Sequence, residues 1–221
     1  MVHCMNDCHK VLLLHGIWMT GLEMSLLRHR LSRKGFQVDV FRYPSLRRTP
    51  RENAALLQES IRDAGYDCLH LVAHSLGGLV LLNLFHHFPD QPPGRVVLLG
   101  SPVRGSGVAQ VMAGRSWMRP LLGRSIERGL LDGAPPWSGG RPLGIVAGTG
   151  GTGIGRFIGG LRGESDGTVA VSETLIGNAT DVSLHPCGHM GLLYDAGVVR
   201  DVAGFLQNGR FPASDGAAAA P

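Results

Sequence analysis

The sequence predicts an α/β fold: a minimal, mostly parallel sheet of six strands with helices on both of its faces. Three observations predict it. Short apolar, β-branched runs alternate along the chain with longer segments of helical periodicity. The 33 glycines and 13 prolines supply the tight strand-to-helix turns that such an alternation needs. The stretch Leu-His-Leu-Val-Ala-His-Ser-Leu-Gly-Gly, residues 69–78, reads as a strand that stops at a serine and turns at once into a helix.

In chain order, Lys10-Val11-Leu12-Leu13-Leu14 opens a buried strand over 10–16 that runs into His15-Gly16-Ile17-Trp18. A helix over 22–34 follows, with Arg28, Arg30, Arg33 and Lys34 on it. Together with Arg42, Arg47, Arg48 and Arg51 they read as a solvated basic face. A strand over 37–43 and a helix over 52–64 lead to the apolar strand 68–74. The helix 76–88 after it is carried by Leu79, Leu82, Leu84 and Phe85. A strand over 95–101 precedes a helical insertion, 105–131, whose Val108, Val111, Met112, Met118, Leu121, Leu122, Ile126 and Leu130 keep helical spacing around a break at Pro120. Strands over 142–148 and 181–186 and a closing helix over 196–207 complete the series. Residues 1–210 read as one domain, 103–140 as a short insertion or possible flap, and 211–221 as a tail without a core-forming pattern.

The serine turn carries the chemistry. A sharp strand-to-helix turn lifts the Ser75 hydroxyl above the sheet edge, and it tolerates only small residues two positions away, here Ala73 and Gly77. A serine at a helix start is also an ordinary cap, so the partners decide. A hydroxyl needs a base, and the base needs an orienting group. Asp166, in the loop Glu164-Ser165-Asp166-Gly167-Thr168-Val169, and His189, in Cys187-Gly188-His189-Met190-Gly191, follow in the order serine, acid, histidine. Glu164 competes for the acid role; Asp166 is preferred for its shorter side chain before Gly167. The backbone N–H groups of Ile17 and Leu76 are the expected oxyanion donors.

With these segments in this order the chain resembles the α/β-hydrolases of the bacterial lipase and esterase type, over nearly all of residues 10–210. The resemblance implies a Ser75–His189–Asp166 triad, an oxyanion hole at Ile17 and Leu76, no metal or organic cofactor, and acyl-ester chemistry on a small ester or lipid. Two departures stand out: Ala73 replaces the first glycine of the usual pentapeptide, and the two antiparallel strands that open larger members are missing. The expected function is cleavage of carboxylic esters through an acyl-enzyme, with short to medium acyl chains favoured because no large cap domain fits. An acyltransferase using the same triad, or a non-catalytic binding protein on this scaffold, are the alternatives.

Candidate substrate contacts are Trp18, Met112, Trp117, Met118, Phe157 and Ile158, although most of the 103–140 segment reads as helix packed on the sheet. The run Gly148-Thr149-Gly150-Gly151-Thr152-Gly153 satisfies a dinucleotide fingerprint. Its continuation is glycine-broken, and Glu173 is not preceded by a convincing strand, so that reading is disfavoured. A net charge of +4 is too mild to argue for nucleic acid. No apolar run reaches the length of a membrane span and no leader pattern is present, so neither stable membrane insertion nor export is expected, and the expected location is the cytoplasm. Cys4, Cys8, Cys68 and Cys187 form no dense disulfide framework. The spacing of His3-Cys4 and Cys8-His9 is not that of a zinc site, so no metal is expected. The sequence leaves the oligomeric state open.

Overall fold

The computed structural model describes residues 8–127, 129–138, 140–151 and 153–213. His3, Cys4, Thr152 and the tail beyond 213 lie outside the described residues. Six strands, β1 (Lys10–Leu14), β2 (Gln37–Phe41), β3 (His70–His74), β4 (Val96–Leu99), β5 (Leu143–Gly148) and β6 (Asp181–His185), form one sheet in the order β2-β1-β3-β4-β5-β6. Every pairing is parallel, one step beyond the mostly parallel sheet expected.

The helices are α1 (Ser25–Ser32), α2 (Pro50–Ala64), α3 (Leu76–His87), α4 (Gly107–Gly114), α5 (Gly155–Ile158), α6 (Val171–Thr174) and α7 (Ala196–Asn208). Strand alternation divides the core between two faces. Leu12, Leu14, Leu71, Ala73, Val96 and Leu98 pack with α2, α3 and the insertion. Val11, Leu13, Val72, Val97 and Leu99 pack with α1 and α7. A parallel sheet covered on both faces has near-continuous apolar strands, as the inner strands β1, β3, β4 and β5 have, whereas the edge strands β2 and β6 alternate. The α3 helix is buried from Leu76 to Phe85, which accounts for an apolar character all round rather than on one stripe.

Local signals fix the ends. Thr49 caps α2 by accepting from the Glu52 amide while Glu52 answers to the Thr49 amide, with Pro50 at the first helical position; such a cap contributes about 1 kcal/mol. The expected helix over 22–34 divides into a 3-10 turn at Leu22–Met24 and α1. The insertion divides as well: α4 ends at Gly114, and a 3-10 segment, Arg119–Ile126, begins around Pro120. Pro120 therefore starts the second piece rather than breaking a continuous helix, consistent with proline's tolerance at a first helical turn. Gly123 interrupts that piece at φ 57°, where its backbone lies against the Leu46 main chain.

Cys8 and Cys68 are joined by a disulfide that the cysteine spacing does not announce. It ties the chain just before β1 to the chain just before β3. Phe211, at the start of the expected tail, donates its amide to Asp181 at 2.9 Å and rests its ring on Phe205.

Candidate active site

The site forms at the carboxyl ends of the strands, where ligands bind in open α/β sheets. β3 ends at His74, and Ser75 follows at φ 53°, ψ −122°, before α3 begins at Leu76. A positive φ at a non-glycine residue is uncommon and costs energy that the surroundings must hold. Ser75 makes no side-chain cap bond to α3, so the capping alternative fails on geometry. The glycines after it are required by contact. A Cβ on Gly77 would lie 2.8 Å from the His15 carbonyl and 2.9 Å from that of Leu14, and one on Gly78 would collide with Ser101. Gly78 thus closes a contact with Ser101.

The loop after β1 faces this turn. Tyr43 stacks on the His15 ring, with centroids 4.3 Å apart, and its hydroxyl donates to the His15 carbonyl at 2.6 Å. His15 Nδ1 bonds the Gly16 carbonyl at 2.9 Å, and the Gly16 amide donates to the Met19 sulfur. Ile17 and Trp18 follow, Trp18 at φ 60°. Its indole N–H reaches across to the Leu121 carbonyl at 2.6 Å, fastening the loop to the insertion. Opposite, Leu76 is the first residue of α3, and a first-turn amide has no intrahelical partner.

Acid and histidine come from the loops near the ends of β5 and β6. His189 Nδ1 donates to Asp166 Oδ2 at 2.6 Å, while Asp166 Oδ1 accepts the amides of Thr168 at 2.8 Å and Val169 at 2.7 Å. Asp166 is 1% exposed, whereas Glu164 faces solvent, so the geometry separates the two candidate acids. Gly100, at φ 55°, backs the pair: a Cβ there would meet Asp166 Oδ2 at 3.0 Å and His189 Nδ1 at 3.2 Å.

Sequence reasoning misses His74. Its Nε2 lies 3.1 Å from the His189 carbonyl and its ring 4.6 Å from the His189 ring. A carbonyl only accepts, so Nε2 carries the proton and the ring is neutral; complete burial holds its pKa well below the usual histidine value. The signal for it in the sequence is its place beside Ser75. Cys187, two residues before His189, is no rival nucleophile. Burial first, then the carboxylates of Asp195 and Asp166, push its thiol up to about 11, which keeps it protonated.

Ser75 and His189 open on one cleft of about 410 Å³, lined also by Ile17, Trp18, Met19, Ile154, Thr168 and Met190, with Gly153, Gly188 and Gly191. Of the expected substrate contacts only Trp18 lines it. Met112, Met118 and Ile158 are buried in the core, because the insertion and α5 turn these side chains inward. Trp117 and Phe157 are exposed and lie off the lining. Ile154, Met19 and Met190 stand in the cleft wall instead. A larger hollow of about 570 Å³, lined by Arg104, Gln110, Arg162, Ser172 and Glu173, contains none of the three candidate catalytic residues.

The glycine-rich run after β5 is spent on packing. Gly150 donates to the Cys187 carbonyl and Gly151 to that of Ser165, and a Cβ on Gly148 or Gly150 would lie 2.5 Å from Cys187 main-chain atoms. The helix that follows, α5, has four residues, too short for a dinucleotide unit. Cys8 is held in the disulfide, and no cluster of three metal-ligating side chains occurs among the described residues.

A profile of the family described as "Alpha/beta hydrolase family" matches residues 11–157. A Bacillus licheniformis lipase in mature form superposes with a TM-score of 0.68 at 19% identity, covering 84% of this chain and 86% of that one. A metagenomic carboxyl esterase gives 0.62 at 17% identity, over 83% and 65% of the two chains. A phospholipase of Legionella pneumophila gives 0.58 at 19%, over 75% of this chain and 45% of that one. At such identities the likeness carries the fold. A search of curated proteins gives no match.

Proposed function

The chain belongs to the alpha/beta hydrolase family, and from that premise we propose that it is a serine hydrolase cleaving carboxylic esters through an acyl-enzyme. One observation carries the reading: the 2.6 Å Asp166–His189 contact stands on the cleft that Ser75 also lines. In this mechanism Ser75 attacks the ester carbonyl while His189 Nε2 takes its proton, and Asp166 holds the tautomer and stabilises the imidazolium. The amides of Ile17 and Leu76 receive the oxyanion, at about 3 kcal/mol per donor. His189 then protonates the leaving alcohol and activates water for deacylation.

The cleft's 410 Å³ lies toward the small end of ligand sites, roughly 300–1,000 Å³, which favours short to medium acyl chains. No helix among the described residues is long and apolar enough to cross a membrane. Against the cytoplasmic location expected from the sequence stands the Cys8–Cys68 bond, a feature that persists in oxidising compartments. Thiol titration of the protein as it leaves the cell distinguishes the two.

The test is Ser75→Ala with a panel of chromogenic esters of rising acyl length. Turnover should fall on the order of 10⁴-fold or more, and a phosphonate should label Ser75 in the wild type alone. Retained turnover in the purified variant overturns the assignment.

A further inference from the structure

The mouth of the cleft is bordered by apolar side chains turned to solvent. Trp18, Ile154 and Met190 line the cleft and are also exposed. Leu121 is bound to Trp18 through its carbonyl and is exposed as well. Beyond them Trp117 is 71% and Phe157 90% exposed. Contacts join the stretches that carry them: Phe157 donates its amide to Ile154 within one turn, and the Arg115 guanidinium reaches the Ile158 carbonyl, tying the insertion to α5. Large apolar side chains exposed together around a cleft mouth mark an interaction site.

Charge says what covers it. From Arg104 to Ile126 the sequence holds four arginines and no acidic residue, and from Thr149 to Gly163 it holds Arg156 and Arg162 and again no acidic residue. Arg124 spends its charge on Glu52 and Glu127, but Arg119 and Arg156 are exposed, each within two residues of an exposed aromatic or leucine. Glu23, five residues after Trp18 in the chain, is engaged by the Thr20 and Gly21 amides. Exposed aromatics mixed with arginine suit the boundary of an anionic bilayer.

We propose that the protein docks reversibly, by this face, on anionic phospholipid surfaces and draws from them an ester of short to medium acyl chain dissolved there. The docking stands on the surface alone; the choice of ester rests on the hydrolase reading.

The experiment is co-sedimentation of the Ser75→Ala protein with vesicles of phosphatidylcholine, with and without phosphatidylglycerol, at low and high salt. Binding should require phosphatidylglycerol and be released by salt. Arg119→Gln with Arg156→Gln should weaken it about tenfold or more, and Phe157→Ser should weaken it at low salt, where the wild type binds. In a wild-type background the arginine pair should leave turnover of a soluble short-chain ester unchanged. Absent binding, or equal binding to both vesicles, overturns the proposal. So does a dimer by light scattering that Phe157→Ser dissociates. Vesicle binding by a protein that hydrolyses soluble esters but does not hydrolyse a medium-chain ester carried in the bound vesicle overturns the substrate clause. Vesicle binding with no hydrolysis of any ester leaves the docking standing and removes the hydrolase reading.

Discussion

Asp166 and His189 are joined twice: side chain to side chain at 2.6 Å, and through the main chain, where the His189 amide donates to the Asp166 carbonyl at 2.9 Å. The second bond fixes the distance between the two loops independently of the charge on the carboxylate. Asp166 Oδ1 is fixed as well, by the Thr168 and Val169 amides.

Asp166→Asn should therefore keep the fold, since an amide oxygen can still accept from Thr168 and Val169, yet lose the anion that holds the His189 tautomer. Turnover should drop by a factor approaching 10⁴, while Glu164→Gln, at an exposed position, changes it little. Steady-state kinetics of the two variants beside their melting curves checks this. Equal losses would reassign the acid.

Acid should destabilise the protein through histidines buried as neutral rings. His70 accepts the Arg95 amide at Nδ1 and bonds the Cys8 carbonyl through Nε2, and burial, then the Arg95 charge, lowers its pKa to about 4. His15 and His74 are also pushed down, chiefly by burial. A base with a depressed folded-state pKa leaves the unfolded chain binding more protons, so stability should fall as pH drops from about 6.5 toward 4 and change little with pH above that window on this account. Calorimetry across the window should show Tm falling, with His70→Gln flattening the slope.

Reducing Cys8–Cys68, or replacing both with serine, should lower stability by about 4 kcal/mol on the chain-entropy account of a closed loop of this length, 60 residues. Activity at room temperature should survive, because both cysteines precede their strands and the cleft lies past the strands' other ends. A denaturant titration with and without reductant measures the first effect. Loss of turnover at an unchanged fold would contradict the second.

Gly77→Ala places a Cβ 2.8 Å from the His15 carbonyl, and neither backbone can yield without moving. The α3 terminus should back away from β1, parting the Leu76 amide from that of Ile17. A loss of about tenfold in kcat with KM nearly constant is expected, since the proposed oxyanion contact would act on the transition state. A change confined to KM would argue against that geometry.

The elements with strong periodicity are legible in the sequence. The apolar runs that become β1, β3 and β5 and the capped helix α2 lie within about two residues of their expected places. So is the meeting of Asp166 with His189 beside a cleft that Ser75 also lines, since chain order and strand-end position point to it. What stays hidden depends on side-chain direction. Met112, Met118 and Ile158 have the composition of a substrate wall but face the core, and Ile154, four residues from Ile158, faces the cleft. Nothing in local pattern distinguishes these, since the choice is made by how the 149–163 loop packs on Gly107 and Val108. The Cys8–Cys68 pair is illegible for the same reason: only the parallel pairing of β1 with β3 brings positions 60 apart into register.

The Trp18–Leu121 hydrogen bond couples two stretches of chain under opposite demands. Surface insertions tolerate changes of length and composition better than the elements they join, whereas an oxyanion amide misplaced by an ångström loses much of its effect. Here the residue after Ile17 is moored to such an insertion, 103 positions away. Grafting a foreign segment between Arg115 and Ile126 would thus alter turnover along with selectivity. A chimera would keep its rate only if the graft returns a carbonyl to the place that Leu121 now holds.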